Sequence, residues 1–156
     1  MNKRFMQRAI DEAYKGVNAG DGGPFGAVIV KDGEVLVSCH NTVLKDNDAT
    51  HHAEINAITA VSALMGTFDL SGCEIYSTTE SCPMCFSAIH WARIDRLIYG
   101  TSIPDVQKLG FNELMLPVAK IKEMAKLNME IKSGFMLEEC LELLEYWNNG
   151  ENKKIY

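Results

Sequence analysis

The sequence has no apolar run near the roughly 20 residues that a membrane-spanning helix needs. Its first residues, MNKRFMQRAIDEAYKG, are basic but lack the apolar block of a signal peptide, so we expect none. Phe5, Ala9, Ala13 and Val17 recur at helical spacing between charged residues, which predicts an amphipathic helix. We therefore expect a cytoplasmic protein without a membrane partner.

Positive charge is scarce as well. The 156 residues include 15 Lys and Arg against 21 Asp and Glu, a net charge of -6. A protein that neutralises many phosphates usually carries a basic face. Here even the stretch EECLELLE near the C-terminus is acidic. We therefore expect a small-molecule substrate and no nucleic-acid partner.

The cysteine content does not fit a secreted disulfide scaffold. There are five cysteines, an odd number, and Cys82 and Cys85 are separated by two residues. This pattern favours a reducing compartment with metal or redox use. Cys39, Cys73 and Cys140 lie in apolar segments and are predicted to be core residues. A composition of 47% hydrophobic and 23% charged residues indicates one globular domain with a buried core.

Predicted helices and strands alternate along the chain. After the first helix and a Gly-rich loop at 20–24, FGAVIV and EVLVSCHN flank an Asp-Gly turn, which predicts an antiparallel β-hairpin. The later predicted elements are a polar loop over 42–50, helices over 52–65, 83–94, 118–127 and 137–147, and strands in CEIYST, RLIYGTS and NMEIKSG. We predict an α/β fold, with three α/β/α layers around one mixed sheet.

Two short motifs contain the candidate metal ligands. Cys82 and Cys85 fall at a predicted helix start, where backbone N–H groups stabilise thiolates and one turn can bind a metal through both sulfurs. His52, at the start of another predicted helix, adds a third ligand. Three ligands leave a coordination position for water, so the pattern favours one catalytic Zn²⁺ per chain over a structural ion.

Glu54 is the candidate catalytic residue. A zinc ion lowers the pKa of bound water to about 7. The Glu54 carboxylate, two residues from His52, could take the water proton and deliver it to a ring nitrogen and a departing amine. His-x-Glu followed by Pro-Cys-x-x-Cys is typical of zinc nucleobase deaminases. This chain has Ser81 in place of the proline, which loosens the turn without removing a ligand.

Other interpretations of the same residues exist. A Cys-x-x-Cys pair is also typical of redox proteins, but that leaves the His-Ala-Glu motif unexplained. A structural zinc site would need a fourth ligand, for which Cys73, His90 and His51 are candidates. His51 also competes with His52, although the spacing to Glu54 favours His52. His40 and His90 lie in no motif, and we predict no chemical role for them.

The chain resembles the cytidine deaminase-like superfamily nearly end to end. It is similar to the branch with nucleobase and tRNA adenosine deaminases, above all to bacterial guanine deaminases. The segments that carry the resemblance are GVNAGDGGPFGAVIVKDGEV, HAE, CPMCFSAIHWAR, GFNE and NKKIY. It implies one deaminase domain over residues 1–156 with a five-stranded mixed sheet. It also implies one zinc ion per subunit on His52, Cys82 and Cys85, with Glu54 moving protons.

The resemblance further implies how a base is held. Asn41 would hydrogen-bond the base, Phe25 and Trp91 would wall the pocket, and the Ala53 backbone would contact the ring. It also implies a homodimer that exchanges its C-terminal tail, 148–156, so that Tyr156 lies over the partner's site. Ile155 and Tyr156 form an apolar tip on a polar tail, which needs a place to pack.

Glu113 is a departure, because the resemblance implies an aspartate there that binds the amino and ring N–H groups of guanine. Asn112 precedes it. The longer carboxylate shifts the pocket by about one methylene, which can change specificity. Segment 134–144 is more similar to the tRNA adenosine deaminases, although it is acidic.

The leading prediction is hydrolysis of guanine to xanthine and ammonia. The alternatives are deamination of cytosine or another aminated heterocycle, deamination of a tRNA adenosine, and a non-catalytic zinc-stabilised binding module. Glu54 argues against the last of these, because a structural zinc site has no use for that carboxylate.

Overall fold

The computed structural model describes residues 1–151 and 153–156. The helices and strands are, in chain order, α1 (Lys3–Ala19), β1 (Gly26–Lys31), β2 (Glu34–His40), α2 (Val43–Asp46), α3 (Ala53–Met65), β3 (Cys73–Thr79), α4 (Pro83–Trp91), β4 (Arg96–Thr101), α5 (Ile103–Gln107), α6 (Val118–Ala125), β5 (Glu130–Lys132) and α7 (Leu137–Asn148). In the predicted tail 148–156, Asn152 lies outside the described residues. No helix in the described part of the chain is long and apolar enough to cross a lipid bilayer.

The five strands form one mixed sheet in the order β2-β1-β3-β4-β5. β1 pairs antiparallel with β2 and β3, whereas the β3–β4 and β4–β5 pairs are parallel. This confirms the predicted α/β fold with a five-stranded mixed sheet and its initial hairpin. Parallel strands end at one edge of a sheet, and that edge commonly carries the functional site of an α/β domain.

Apolar side chains on both faces of the sheet produce the three layers. Successive strand residues point to opposite faces. Ala27 and Ile29 pack with buried residues of α3, α4 and α6, whereas Val28 and Val30 pack with the buried stripe of α1 and with Cys140 of α7. The stripe on α1 confirms the predicted amphipathic helix, with buried residues at Phe5, Met6, Ala9, Ile10, Ala13, Gly16 and Val17.

Three predictions of secondary structure were wrong, one loop and two helix ends, each for a local reason. The predicted loop at 42–50 contains the short helix α2, because the Asn41 side-chain oxygen accepts the Val43 N–H at 3.1 Å and starts a turn. Helix α4 ends at Trp91, before Arg93 takes a left-handed φ of 61°. Helix α6 ends at Ala125, because Lys126 has a φ of 54°. Neither end carries the glycine that usually marks such a cap.

Candidate active site

The three predicted metal ligands lie together at two helix starts. His52 precedes the first residue of α3, Cys82 precedes that of α4, and Cys85 lies in the first turn of α4. The His52 Nδ1 atom is 3.7 Å from the Cys82 Sγ and 3.5 Å from the Cys85 Sγ. Nitrogen and sulfur ligands at normal zinc bond lengths lie about 3.6 Å apart around a tetrahedral ion. The spacing and the donor types therefore fit zinc.

No fourth protein ligand joins this cluster within the described residues. His51, the nearest competitor in sequence, pairs with Asp46 at 2.8 Å and with Asp48 at 3.5 Å. Cys73 begins β3 in the apolar core. The three-ligand arrangement is that of a catalytic zinc site with an open position rather than a closed structural site.

The pKa values of the thiol pair favour binding of a cation. A hydrogen bond with Cys85, assisted by His52, lowers the pKa of Cys82 to about 4. The same contact with Cys82, together with burial, raises the pKa of Cys85. Burial opposes the charged form of His52, but the hydrogen bond with Cys82 and the nearby Glu54 outweigh it and raise the pKa of this imidazole. A divalent ion would displace the remaining protons, since metal ligands must be deprotonated.

Glu54 lies in the first turn of α3 and is only 5% exposed. Burial, reinforced by the nearby Cys82, raises the pKa of its carboxyl. A carboxyl whose pKa is raised holds a proton more readily, which suits a group that accepts and then donates one during turnover. The position and environment of Glu54 thus suit the predicted proton transfer.

The site opens into a cavity of about 190 Å³. Its lining residues are Phe25, Ala49, His52, Cys82, Met84, Phe111, Asn112, Glu113, Leu114 and Tyr156. A chamber of about 20 Å³ shares Phe25, His52, Cys82 and Glu113 with it and also reaches Glu54. Drug-sized ligands occupy pockets of roughly 300–1,000 Å³, so this cavity suits a smaller molecule.

A larger groove of about 740 Å³ runs along α1, where Lys3, Arg4 and Arg8 are exposed. It contains none of the metal-binding cluster and no buried acid. Cavity volume therefore does not identify the active site here. The smaller cavity, which adjoins the metal ligands, is the candidate.

The predicted base-binding residues fall into three groups. Phe25, Glu113 and Tyr156 line the cavity. Asn41 and Ala53 are fully buried, Ala53 as the first residue of α3, and neither lines the cavity or the chamber that reaches Glu54. The Asn41 Oδ1 atom accepts three hydrogen bonds, from Tyr156 Oη at 2.8 Å and from the backbone N–H groups of Gly23 and Val43. Its Nδ2 atom has no partner in the described part of the chain and is available as a donor.

Trp91 also lies outside the cavity lining and, unlike Asn41 and Ala53, it is on the surface. Its indole is 75% exposed at the end of α4. The buried residues of this helix, Cys85, Phe86 and Ile89, occupy the opposite side. Within a single chain, Trp91 is therefore a surface residue and not a wall of the pocket.

The C-terminal residue returns to the site of its own chain. The Tyr156 hydroxyl donates to Asn41 and accepts the Gly23 N–H at 3.0 Å. Its ring meets Phe111 edge-on with centroids 5.5 Å apart, and Phe111 stacks on Trp147 at 4.8 Å. Burial raises the pKa of the Tyr156 phenol, so it stays protonated as a donor.

Two residues outside the predicted site, Phe111 and His40, help to hold it in place. Phe111 contacts both Phe25 and Tyr156, and its place in the GFNE segment that carries the resemblance is the signal that could have pointed to it. His40 bridges Glu12 at 3.1 Å and Asp21 at 2.9 Å, which fastens the Gly-rich loop next to Asn41. This role is structural, as expected for a histidine outside the motifs.

Comparison with known proteins supports this chemistry. The model of the cytidine and deoxycytidylate deaminase zinc-binding region matches residues 1–101. The chain belongs to this deaminase family. It is 40% identical to guanine deaminase of Bacillus subtilis (strain 168), over 99% of each chain. It is also 37% identical to a tRNA-specific adenosine deaminase of Aquifex aeolicus, over 97% of each chain.

Solved structures of the deaminase family share the fold. The crystal structure of the B. subtilis guanine deaminase has a TM-score of 0.70 at 41% identity, covering 100% of this chain and 99% of the other. A guanine deaminase from Nitrosomonas europaea has a TM-score of 0.88 at 25% identity, covering 96% and 86%. The predicted membership of a zinc-binding deaminase family and the predicted resemblance to bacterial guanine deaminase are confirmed.

In this deaminase, Ser81 replaces the proline of the signature directly before Cys82. Its side chain is buried, and α4 still begins at Pro83. The substitution therefore leaves the metal ligands in place, as expected from the sequence.

Proposed function

We propose that this deaminase hydrolyses guanine to xanthine and ammonia. The observation that carries the proposal is the half-buried Glu113 carboxylate, which lines the same small chamber as Glu54 and the metal ligands His52 and Cys82. Burial, with Cys82 nearby, raises the pKa of Glu113, so its charge is poorly compensated without a ligand. Guanine offers an amino group and an adjacent ring N–H, and two such donors satisfy one carboxylate.

Zinc held by His52, Cys82 and Cys85 would supply a Lewis acid with an open position at which water is activated. In this mechanism Glu54 accepts the proton of that water. It delivers this proton to a ring nitrogen, then takes the second proton from the hydroxyl group added to the ring carbon and passes it to the amine, which leaves as ammonia as the C–N bond breaks and the carbonyl forms. The water attacks the carbon that carries the amino group, and Glu113 binds that edge of the base and positions the carbon next to the water.

The remaining pocket residues orient a planar ring. The aromatic rings of Phe25, Phe111 and Tyr156 provide apolar walls. Tyr156 and the Gly23 N–H donate to the Asn41 oxygen and so fix the orientation of the amide, whose nitrogen would donate to an acceptor atom of the base. The Ala53 backbone, at the start of α3 between His52 and Glu54, contacts the ring.

A substrate panel with metal analysis on the same sample tests the proposal. Ammonia release is measured with guanine, cytosine, adenine, their nucleosides and a tRNA anticodon stem. We expect turnover of guanine and one zinc ion per chain. The net charge of -6 and the acidic helix α7 disfavour RNA. Turnover of cytosine or RNA without turnover of guanine would contradict the proposal.

Replacing Glu113 with Gln is expected to raise KM for guanine by about ten- to a hundredfold, because one acceptor oxygen becomes a donor that faces the N–H groups of guanine. Steady-state kinetics with guanine measure the effect. Glu138→Gln, an exposed change of the same charge on α7, is the control. An unchanged KM would show that Glu113 does not hold the base.

We also propose that the single deaminase domain, residues 1–156, forms a homodimer in the cytoplasm. All five cysteines have free thiols, which suits a reducing compartment. Large apolar side chains are exposed on α3, on α4 and α6, and next to these helices, at Leu64, Phe68, Trp91, Leu114 and Met124. A second copy that packs against these side chains would bury them. Sedimentation is expected to give twice 17.4 kDa, and a monomer would contradict this.

We further propose that the tail 148–156 is exchanged within the dimer. Tyr156 lies on a short tail, and its partners Gly23 and Asn41 could equally receive the tail of a second copy. Co-expressed Glu54→Gln and Tyr156→Ala chains test this proposal. With exchange, the intact tail of the first chain completes the site of the second, so activity returns in mixed dimers. Mixed dimers as inactive as either parent would contradict exchange.

A further inference from the structure

Glu80 is a buried carboxylate that was not among the predicted site residues; it lines the chamber that reaches Glu54, and both of its oxygens accept backbone N–H groups that are distant in sequence. Its Oε2 atom accepts the Ile103 N–H at 3.1 Å, and its Oε1 atom accepts the Val118 N–H at 2.9 Å. Ile103 and Val118 are the first residues of α5 and α6. The first N–H groups of a helix lack partners within the helix, so one side chain satisfies two helix starts.

The chain between these two anchors forms one wall of the cavity. Phe111 and Glu113 both lie in it and line the site. From residue 111 to residue 117 the chain has neither helix nor strand. The backbone conformation of a segment without regular structure depends on how its ends are held. Releasing either end increases the number of conformations that the segment can adopt. The Glu80 carboxylate therefore acts as a clamp at both ends of the 103–118 segment.

The clamp itself is attached to the sheet. The Glu80 backbone N–H donates to the Thr101 carbonyl at 2.8 Å, next to the parallel pair Thr79 and Thr101 at the ends of β3 and β4. Two residues further along the chain, Cys82 enters the metal cluster. Glu80 thus connects the rigid edge that positions the metal ligands to the segment that carries Glu113.

We propose that Glu80 is a positioning residue that sets the distance between Glu113 and Glu54 by clamping the 103–118 segment. The inference rests on the proposed function, in which Glu113 binds the base. Glu80 does not need to touch the base, because its two oxygens already accept backbone N–H groups. A shift of the segment would misplace the base relative to the attacking water, and misplacement of about 1 Å can cost a hundredfold in rate.

Glu80→Gln tests the clamp, because the amide nitrogen that replaces one oxygen cannot accept a backbone N–H. We expect retained zinc, faster hydrogen exchange of the backbone amides at 103–118, and a KM for guanine about tenfold higher with a smaller change in kcat. Glu123→Gln is the control, since Glu123 lies on α6 but is exposed and pairs with Lys120. If Glu80→Gln does not fold, Glu80→Asp is measured in the same way.

A double-mutant cycle separates positioning from general stabilisation. If Glu80 acts through Glu113, Glu80→Gln is expected to leave KM unchanged in a Glu113→Gln background. An equal increase in KM in both backgrounds, or unchanged exchange at 103–118, would overturn the proposal. The exchange measurement needs no substrate. Faster exchange in a protein that does not use guanine would support the clamp and overturn guanine as the substrate.

Discussion

Replacing Glu54 with Gln is expected to lower kcat by about a thousandfold, within the range that a positioned acid or base contributes. Glutamine has the shape of glutamate but cannot accept the proton of water or return it to the amine. The side chain is buried at the start of α3, next to His52 and Cys82, and is not one of the ligands. Zinc content and KM are therefore expected to change little.

Stability distinguishes this effect from damage to the fold. Burial disfavours the charged form of Glu54, so a neutral amide at this position is expected to leave the thermal unfolding midpoint unchanged or raise it. The measurements are kcat and KM with guanine, bound zinc, and thermal unfolding, with Glu138→Gln on α7 as a control of equal charge change. A zinc-loaded Glu54→Gln protein with the kcat of the unaltered protein would show that another group moves the protons.

The metal cluster could be predicted from sequence because its ligands lie in two short motifs, each at the start of a helix. Cys82 and Cys85 lie one helical turn apart, and His52 precedes its helix by one position, so the motifs alone place the donors at two helix starts. The core cysteines follow the same logic. Cys73 and Cys140 are buried, whereas Cys39 is only half-buried because β2 is the edge strand of the sheet.

Residues whose role depends on distant contacts could not be predicted. The partners of Glu80 lie 23 and 38 residues away, and a lone acid after a strand carries no motif. Phe111 takes part in the site only because the fold brings it against Trp147 and Tyr156. The resemblance places Trp91 at the pocket, but the helical period of α4 turns its indole away from the core of its own chain.

Zinc removal is expected to have the largest effect of all, abolishing deamination and lowering stability together. Without the ion, a half-buried Cys82 thiolate is left beside the Cys85 thiol, and among the residues that the structure describes a protonated His52 is the cation that compensates it. An ion that binds the folded chain at a free concentration of 100 times its Kd contributes about 2.7 kcal/mol to the free energy of unfolding. Treatment with a chelator should therefore lower Tm, and added Zn²⁺ should restore both Tm and turnover.

The variant Cys85→Ser applies the same test without a chelator. A serine hydroxyl remains protonated near neutral pH and is a poor zinc ligand, so the cluster would retain only His52 and Cys82. Loss of bound zinc and of measurable ammonia release is expected. Cys39→Ser, at a half-buried position on β2 outside the cluster, should keep both. Unchanged turnover in a protein shown to contain no metal would contradict the assignment of these three side chains as the catalytic zinc site.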